Sequence, residues 1–237
     1  MLGLGASLSA GATPPEFLPV DVDGIQLWLR NGVGVTAAQW DDSSGNARHA
    51  TQSAEANQAS VGGGGLDFEQ SESDHYDLAS AITISQDTGY ACFLVCDIES
   101  YDSSQNCFLS SSSSKFLEFQ TNDKIRLNYT NDVTAIFFDT QNLWNVATGK
   151  FLLTISRGDS GLHTVYKNGV SQTIDTSSSV LLTNPSPASV DTVGHRVKAT
   201  PDRHFDGKIY ELIVYNTSVR PIHIAQINNY LTSYHGL

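Results

Sequence analysis

The stretch KIYELIVYN, residues 208–216, indicates which secondary structure dominates this chain. Apolar residues alternate along it, so Tyr210, Leu212 and Val214 are expected to share one face. A period of two is typical of a β-strand that lies on a core. Upstream of this strand lies a series of similar short runs separated by polar turns. They predict an all-β sandwich or jelly roll of roughly twelve strands.

The hydrophobic period changes after this strand. Pro221 suits the first position of an α-helix, and Gly236 suits the position where a helix stops. The sequence therefore predicts one amphipathic helix at the C-terminal end. Its apolar positions, at helical spacing, are Ile224, Ile227, Leu231 and Tyr234.

Two upstream runs predict strands of different kinds. YACFLVCDI, residues 90–98, is apolar on both faces, which predicts a central strand covered on both sides. GIQLWLR, residues 24–30, is predicted to be a strand that places Ile25, Leu27 and Leu29 on one face.

Glycine marks two connections. Asn168-Gly169 lies between strand-like runs and is the strongest short signal for a β-hairpin. GGGG at 62–65 is not followed by a helix that could bind a phosphate, and we interpret it as a flexible linker.

The net charge argues against nucleic acids and anionic membranes as partners. The chain of 237 residues has a formal charge of -12, which phosphate backbones and anionic membranes repel. No run approaches the ~20 apolar residues of a membrane-spanning helix, so membrane insertion is not expected. The simplest role of the charge is solubility, with cation binding as the alternative.

The first residues, MLGLGASLSAGATPPEF, have an unusual composition. They lack the basic start and long apolar core of a signal peptide, which favours synthesis in a host cytoplasm without export. We interpret residues 1–19 as an extended arm. Such a segment buries too little apolar surface to offset its conformational entropy, so we expect a neighbouring subunit to hold it. The expected contact residues are Leu2, Leu4, Leu8 and Phe17.

Three cysteines, an odd number, do not form a disulfide framework. Cys92 and Cys96 are too far apart on one strand to pair. A bridge between Cys96 and Cys107 requires that they flank a hairpin; the alternative is three buried free thiols.

Four stretches, in this order, resemble the laminin-G-like, concanavalin-A-like jelly-roll family. They are LWLR (27–30) with Trp40 and DDSSGNARHA (41–50), GGLDFEQSESDHYDL (64–78), LLTISRGDSGLHTVYKNGV (152–170) and HFDGKIYELIVYNTSVRPIHIAQINNYL (204–231).

This resemblance implies an all-β fold, an antiparallel two-sheet jelly-roll sandwich with a short C-terminal helix. It implies two parts: the arm at 1–19 and a laminin-G-like domain at 20–237. Family members often cap the helix with Ser or Thr and a Glu three residues later, whereas this chain has Arg220 and His223.

The resemblance also implies a calcium site, because several family members bind a structural calcium near the N-terminal turn and the last strand. Asp42 and Asp206 occupy comparable places here. Both also suit turns, which is the alternative interpretation. We expect no other cofactor.

The family includes glycoside hydrolases, which need two carboxylates at a set separation. The sequence has no Glu-x-Asp-x-Glu run, and Glu69, Glu72 and Asp74 mix the two faces of their segment. His49 and His75 are interpreted as polar loop residues. We therefore expect no enzymatic activity.

Glycan binding needs exposed aromatic rings beside polar groups. Tyr101 and Trp144 are the candidates, with core packing as the alternative. Trp28 and Trp40 are expected to fill the core.

A single domain behind an arm of this type resembles virion proteins of tailed bacteriophages. The expected function is a non-enzymatic virion structural protein on the particle surface, a capsid decoration or fibre-type subunit. Its expected partners are capsid or tail proteins, further copies of itself and a host surface glycan. The alternative is a carbohydrate-binding module of a bacterial surface or secreted protein.

Overall fold

The all-β prediction is confirmed. The computed structural model describes residues 17–100, 106–111, 115–121, 123–129, 133–140, 143–144, 149–196 and 203–237. In this part of the chain, two eight-stranded antiparallel sheets pack face to face, and a helix lies on the outside of one sheet.

The described strands are mostly short, and polar segments connect them. They are β1 (Ile25–Leu29), β2 (Gln39–Trp40), β3 (Ala50–Thr51), β4 (Ser60–Gly62), β5 (Gly65–Phe68), β6 (Tyr76–Ile84), β7 (Tyr90–Ile98), β8 (Asn106–Ser110), β9 (Lys115–Thr121), β10 (Lys124–Asn128), β11 (Val133–Phe137), β12 (Phe151–Arg157), β13 (His163–Lys167), β14 (Val170–Ser171), β15 (Ala188–Val193), β16 (His195–Arg196), β17 (Arg203–His204) and β18 (Gly207–Tyr215).

The strand order defines the two layers. Sheet A has the order β14-β13-β12-β7-β18-β5-β4, and β1 also pairs with β18. Sheet B has the order β11-β10-β9-β8-β15-β6-β3-β2. The strands β16 and β17 form a separate small ribbon.

Sheet A is buried on both faces, as the double-sided apolar pattern of β7 predicts. Cys92, Leu94 and Cys96 point into the core between the sheets. Phe93 and Val95, on the opposite face of β7, pack in a second apolar layer beneath the helix. The sandwich therefore has two hydrophobic layers, and the outer one holds the helix on sheet A.

The helix α1 (Pro221–His235) begins and ends where the sequence predicts. Pro221 occupies its first turn, and Gly236 ends it with a left-handed φ of 68°. The start has no side-chain cap; instead, Arg220 Nη2 lies 2.8 Å from His223 Nε2.

Bulges displace two residues from their predicted faces. The pairing of β1 with β18 shifts register between Ile25 and Leu27, and Ile25 packs in the outer layer while Leu27 lies in the core between the sheets. A similar shift between Ile209 and Glu211 in the pairing of β18 with β7 puts Tyr210 in the outer layer. An extra residue in one strand reverses the alternation, so the two predictions that assumed strict alternation were wrong.

The glycine-rich connector has a defined structure. Gly63 and Gly64, with φ of 61° and 83°, form a two-residue turn between β4 and β5. The prediction of a flexible linker was therefore wrong, because glycine at positive φ also builds tight hairpin turns. Asn168-Gly169 forms the predicted hairpin between β13 and β14.

The three cysteines are buried free thiols. Burial raises the pKa of Cys92 and of Cys96 well above the usual range of a thiol. Cys96 and Cys107 are not bridged, so the alternative of three free thiols is confirmed.

Several histidines are buried. The His195 ring stacks on His204 at 3.9 Å between centroids, and the centroid of the His75 ring lies 5.0 Å from that of His195. Burial, His204 and His75 together lower the pKa of His195 to about 3. Burial and the nearby Arg157 lower the pKa of His163 to about 4. Both side chains are therefore neutral in the folded protein.

The lowered pKa values of His195 and His163 predict that the protein loses stability in acid. These histidines bind protons near pH 6.5 in the unfolded chain but only near 3 to 4 in the folded chain. The unfolded state therefore binds more protons below pH 6.5, and the free energy of unfolding falls by about 1.4 kcal/mol per pH unit for each histidine. Urea unfolding at a series of pH values measures this slope.

The test variant is His195→Gln. It removes a buried titrating group and should flatten the slope. An identical slope for His195→Gln and the wild-type protein would contradict the prediction.

Candidate ligand-binding groove

A groove of about 510 Å³ runs along the outer side of α1. This volume lies within the range of about 300–1,000 Å³ that is common for small-ligand sites. Five of its residues recur on α1 at intervals of three and four, so they form one face of the helix. Phe17 supplies the opposite wall. The helical residues are Gln226, Asn229, Tyr230, Ser233 and Tyr234.

Two tyrosines form the aromatic part of the groove. The rings of Tyr230 and Tyr234 are 6.0 Å apart between centroids and inclined by only 21°. Tyr234 is 50% exposed although it continues the predicted apolar stripe of α1. Ile224, Ile227 and Leu231 of this stripe are buried against sheet A. Tyr234 lies about one turn after Tyr230 and lines the groove instead.

A buried polar network fixes the helix behind the groove. The edge of Trp28 packs against Tyr230, with centroids 6.2 Å apart and planes at 77°. Trp28 Nε1 donates a hydrogen bond of 2.7 Å to Glu211 Oε1. Glu211 Oε2 lies 2.8 Å from Nε2 of His235 in the last turn of α1.

A second contact holds the middle of the helix. The Thr154 hydroxyl, on β12, donates to Oδ1 of the buried Asn228 at 2.5 Å. Since both contacts are buried, they set the rotation of α1 and hence the direction of its groove-lining side chains.

The groove combines groups that suit a sugar. Aromatic rings can stack on the apolar face of a pyranose, while amide groups donate and accept hydrogen bonds with hydroxyls. Gln226 and Asn229 supply the amides, and Ser233 supplies a hydroxyl.

The sequence analysis missed these groove residues. Of its two glycan candidates, Trp144 is fully buried, so this prediction was wrong. Its ring packs 5.4 Å from Phe151 and 5.6 Å from Phe119 in the core between the sheets. Tyr101 lies outside the described residues. The overlooked signal was the Tyr230–Tyr234 pair, four residues apart, between amide residues.

Asp42 serves as a turn-forming residue. Its Oδ1 accepts the N–H groups of Trp28 and Ser44, both at 2.9 Å. Its Oδ2 accepts the N–H of Arg48 at 2.9 Å and the hydroxyl of Ser44 at 2.8 Å. These four donors use the lone pairs that a cation would need.

Asp206 lies elsewhere, in a polar pocket of about 320 Å³ that also contains Glu69 and Ser100. Beside it, carboxylate oxygens of Asp67, Glu69 and Glu99 lie within 4.8 Å of one another. We call these four carboxylates the acidic edge. Asp42 is not part of it, so the two residues predicted to hold calcium are in different surroundings.

Lys208 partly neutralises the acidic edge. Its Nζ lies 2.7 Å from Asp67 and 3.6 Å from Glu99. Burial, then the neighbouring Asp206 and Asp67, raise the pKa of Glu69. The ammonium group already occupies the position between two carboxylates that a cation would take.

The three carboxylates considered for catalysis lie in different surroundings. Asp74 is 1% exposed, and its Oδ2 accepts the backbone N–H of Glu69 at 2.8 Å. Glu72 lies in a short 3₁₀ turn at Gln70–Glu72. Because Asp74 is inaccessible, it cannot act as one of the two carboxylates that flank a glycosidic bond.

The two loop histidines have structural partners. His49 Nδ1 lies 3.2 Å from both the backbone N–H of Asp42 and the carboxylate of Asp41. His75 contacts Gln52 and the carbonyl of Ser73.

The described chain packs on the domain from Phe17 onward. Phe17 and Leu18 contact the outer apolar layer, and Tyr215 donates a hydrogen bond of 2.8 Å to the Pro19 carbonyl. The last three residues of the predicted arm are thus attached to the sandwich. Leu2, Leu4 and Leu8 lie outside the described residues.

Solved structures share this fold at low sequence identity. The binding domain of Paraclostridial Mosquitocidal Protein 1 has a TM-score of 0.65 and 10% identity, over 88% of this chain and 52% of that one. The binding domain of botulinum neurotoxin serotype G has a TM-score of 0.60 and 15% identity, over 87% and 51%. A Trypanosoma rangeli sialidase mutant with trans-sialidase activity has a TM-score of 0.59 and 14% identity, over 89% and 33%.

The chain has the fold of β-sandwich binding domains. It spans about half of each toxin structure and a third of the sialidase. No protein-family model and no curated protein sequence matches it. Across the described ranges, no helix combines the length and apolarity needed to cross a membrane.

The network behind the groove predicts the effect of one substitution. Glu211→Ala leaves Trp28 Nε1 and His235 without their buried partner, so we expect the free energy of unfolding to fall by about 3–5 kcal/mol. Urea denaturation measures the change. The control, Glu55→Ala, alters an exposed carboxylate and should change stability by less than about 0.5 kcal/mol. Equal effects of the two variants would contradict the structural role of Glu211.

Proposed function

We propose that this chain is a non-enzymatic, glycan-binding β-sandwich that serves as a surface subunit of a virion. The single observation that carries glycan binding is the groove on α1, where two near-parallel tyrosines lie beside two amides and a hydroxyl. A paired aromatic platform with flanking hydrogen-bonding groups suits a sugar, which has an apolar face and a polar rim.

The fold supports a binding role. The two toxin structures that share it are themselves binding domains. The sialidase likeness covers only a third of that enzyme, and the carboxylates of this chain do not argue for catalysis. Asp67 and Glu99 are ion-paired with Lys208, and Asp74 is buried.

The N-terminal segment supports a role in assembly. Residues 1–16 precede Phe17, which lies at the edge of the groove. We propose that this arm, through Leu2, Leu4 and Leu8, anchors the subunit to capsid or tail proteins or to further copies of this chain. The sandwich would then be displayed on the particle surface, with the groove available to a host glycan.

A carbohydrate-binding module of a bacterial surface or secreted protein is the second candidate. The likeness to toxin binding domains, whose chains are about twice as long as the matched part, favours it. This candidate shares the groove with the first one but gives the arm no role in a particle.

Glycan binding is tested with an oligosaccharide array and the full-length protein. We expect Tyr234→Ala to weaken binding about tenfold, because it removes an exposed stacking surface. Ile222→Ala is the matched control, since Ile222 is an exposed apolar residue of α1 outside the groove. Binding that survives Tyr234→Ala unchanged would place the glycan elsewhere, and the absence of any bound glycan would refute this part of the proposal.

Deletion of residues 2–16 tests the assembly role. We expect the truncated protein to fold, because the described residues from Phe17 onward form both hydrophobic layers, and to lose incorporation into the particle. Circular dichroism and melting temperature verify the fold, and particle composition measures incorporation. Normal incorporation would eliminate the anchoring role and favour the second candidate.

A further inference from the structure

We infer that the groove on α1 selects an uncharged oligosaccharide and discriminates against sialylated or sulfated sugars. This inference rests on the proposed glycan-binding function and specifies the class of ligand. It follows from the chemistry of the groove wall, the positions of the neighbouring charges and the size of the groove.

Among the described residues that line the groove, none carries a formal charge. The polar groups of the groove are the amides of Gln226 and Asn229 and the hydroxyls of Ser233 and Tyr234, whereas the Tyr230 hydroxyl is buried. Burial raises the pKa of Tyr230 to about 12, so its ring stays neutral at ordinary pH. Proteins that recognise carboxylate or sulfate groups usually do so with arginine or lysine, which form charge-assisted hydrogen bonds. This wall offers only neutral donors and acceptors.

The nearby cations lie behind the groove wall or at the start of the helix. The Arg30 guanidinium lies 4.9 Å from the centroid of Trp28 and beside the buried hydroxyl group of Tyr230. Arg220 contacts His223 at the start of the helix. His235 is directed inward, to Glu211. None of these side chains lines the groove.

A carboxylate at one end of the groove opposes anionic ligands. At the Phe17 end, the Asp21 carboxylate accepts the backbone N–H of Leu18 at 2.8 Å. The whole chain carries a formal charge of -12, which lowers the local concentration of anionic sugars at low salt. Local and long-range electrostatics thus act in the same direction.

The size of the groove favours more than one sugar ring. The rings of Tyr230 and Tyr234 are stacked, 6.0 Å apart between centroids and inclined by 21°. Tyr234 is the more exposed of the two and offers a stacking surface to one sugar ring, while the rest of the groove is lined by amide and hydroxyl groups. The volume of about 510 Å³ is consistent with a short oligosaccharide.

The first experiment compares neutral and acidic sugars on the full-length protein. The neutral probes are lactose, cellotetraose and maltotetraose, and the acidic probes are sialyllactose and a heparin-derived disaccharide. We expect the tightest binder to be neutral, with an affinity that changes less than about twofold between low and physiological salt, since no ion pair contributes to it. A neutral sugar should also bind more tightly as a tetrasaccharide than as its monosaccharide.

The second experiment adds a charge to the groove. Gln226→Lys should increase the affinity for sialyllactose several-fold, because it places an ammonium group where the wild-type protein has none. Ile222→Lys adds the same charge to the same helix outside the groove and is the matched control. It should not produce this increase.

The outcomes separate the inference from the proposed function. If the wild-type protein prefers sialyllactose or the heparin disaccharide with a strong salt dependence, the ligand class is wrong while glycan binding stands. If both lysine variants increase affinity equally, the acidic sugar does not enter the groove and the inference also fails. If no probe binds to the wild-type protein and a broad array is likewise negative, the proposed function itself fails.

Discussion

The structure depends on covering both faces of sheet A. Strand β7 directs Cys92, Leu94 and Cys96 into the space between the sheets, and Phe93 and Val95 to the outside. An apolar face left in water would cost about 25 cal/mol for every Å² that burial would otherwise remove. The chain covers the outer face with α1 and with the segment that begins at Phe17. The groove is part of this covering layer, because residues of α1 and Phe17 line it.

Polar contacts, as well as apolar burial, set the orientation of α1 on sheet A. Apolar packing alone allows a helix to rotate, whereas a buried charge tolerates few geometries. Glu211 on β18 joins Trp28 on β1 to His235 at the end of α1, and Thr154 holds Asn228 near the middle. Because the inward face is set in this way, the outward face is set too, and Tyr230 and Tyr234 point into one groove.

The two polar regions of the molecule have different chemistry. The acidic edge concentrates carboxylates around Lys208, and their mutual repulsion together with burial raises the pKa of Glu69. The groove on α1 contains aromatic, amide and hydroxyl groups without a charge. The first arrangement is held together by ion pairs within the chain, while the second leaves its hydrogen-bonding groups available to an uncharged ligand.

The sequence alone determined the all-β class, the Asn168-Gly169 hairpin and the helix with its ends, because hydrophobic period, Pro221, Gly236 and Asn168-Gly169 act locally. It predicted roughly twelve strands where the structure describes eighteen, since strands of two or three residues are too short to show a period. The tertiary structure decided which aromatic rings are exposed to solvent. The sequence made Trp144 a glycan candidate and put Tyr234 on the apolar stripe of the helix, but packing against Phe151 buries the first and the last turn of α1 exposes the second. The bulges beside Tyr210 and Ile25 arise from strand pairing, since an extra residue becomes evident only against its partner strand. The groove likewise required Phe17 and α1 to meet across more than 200 residues of chain.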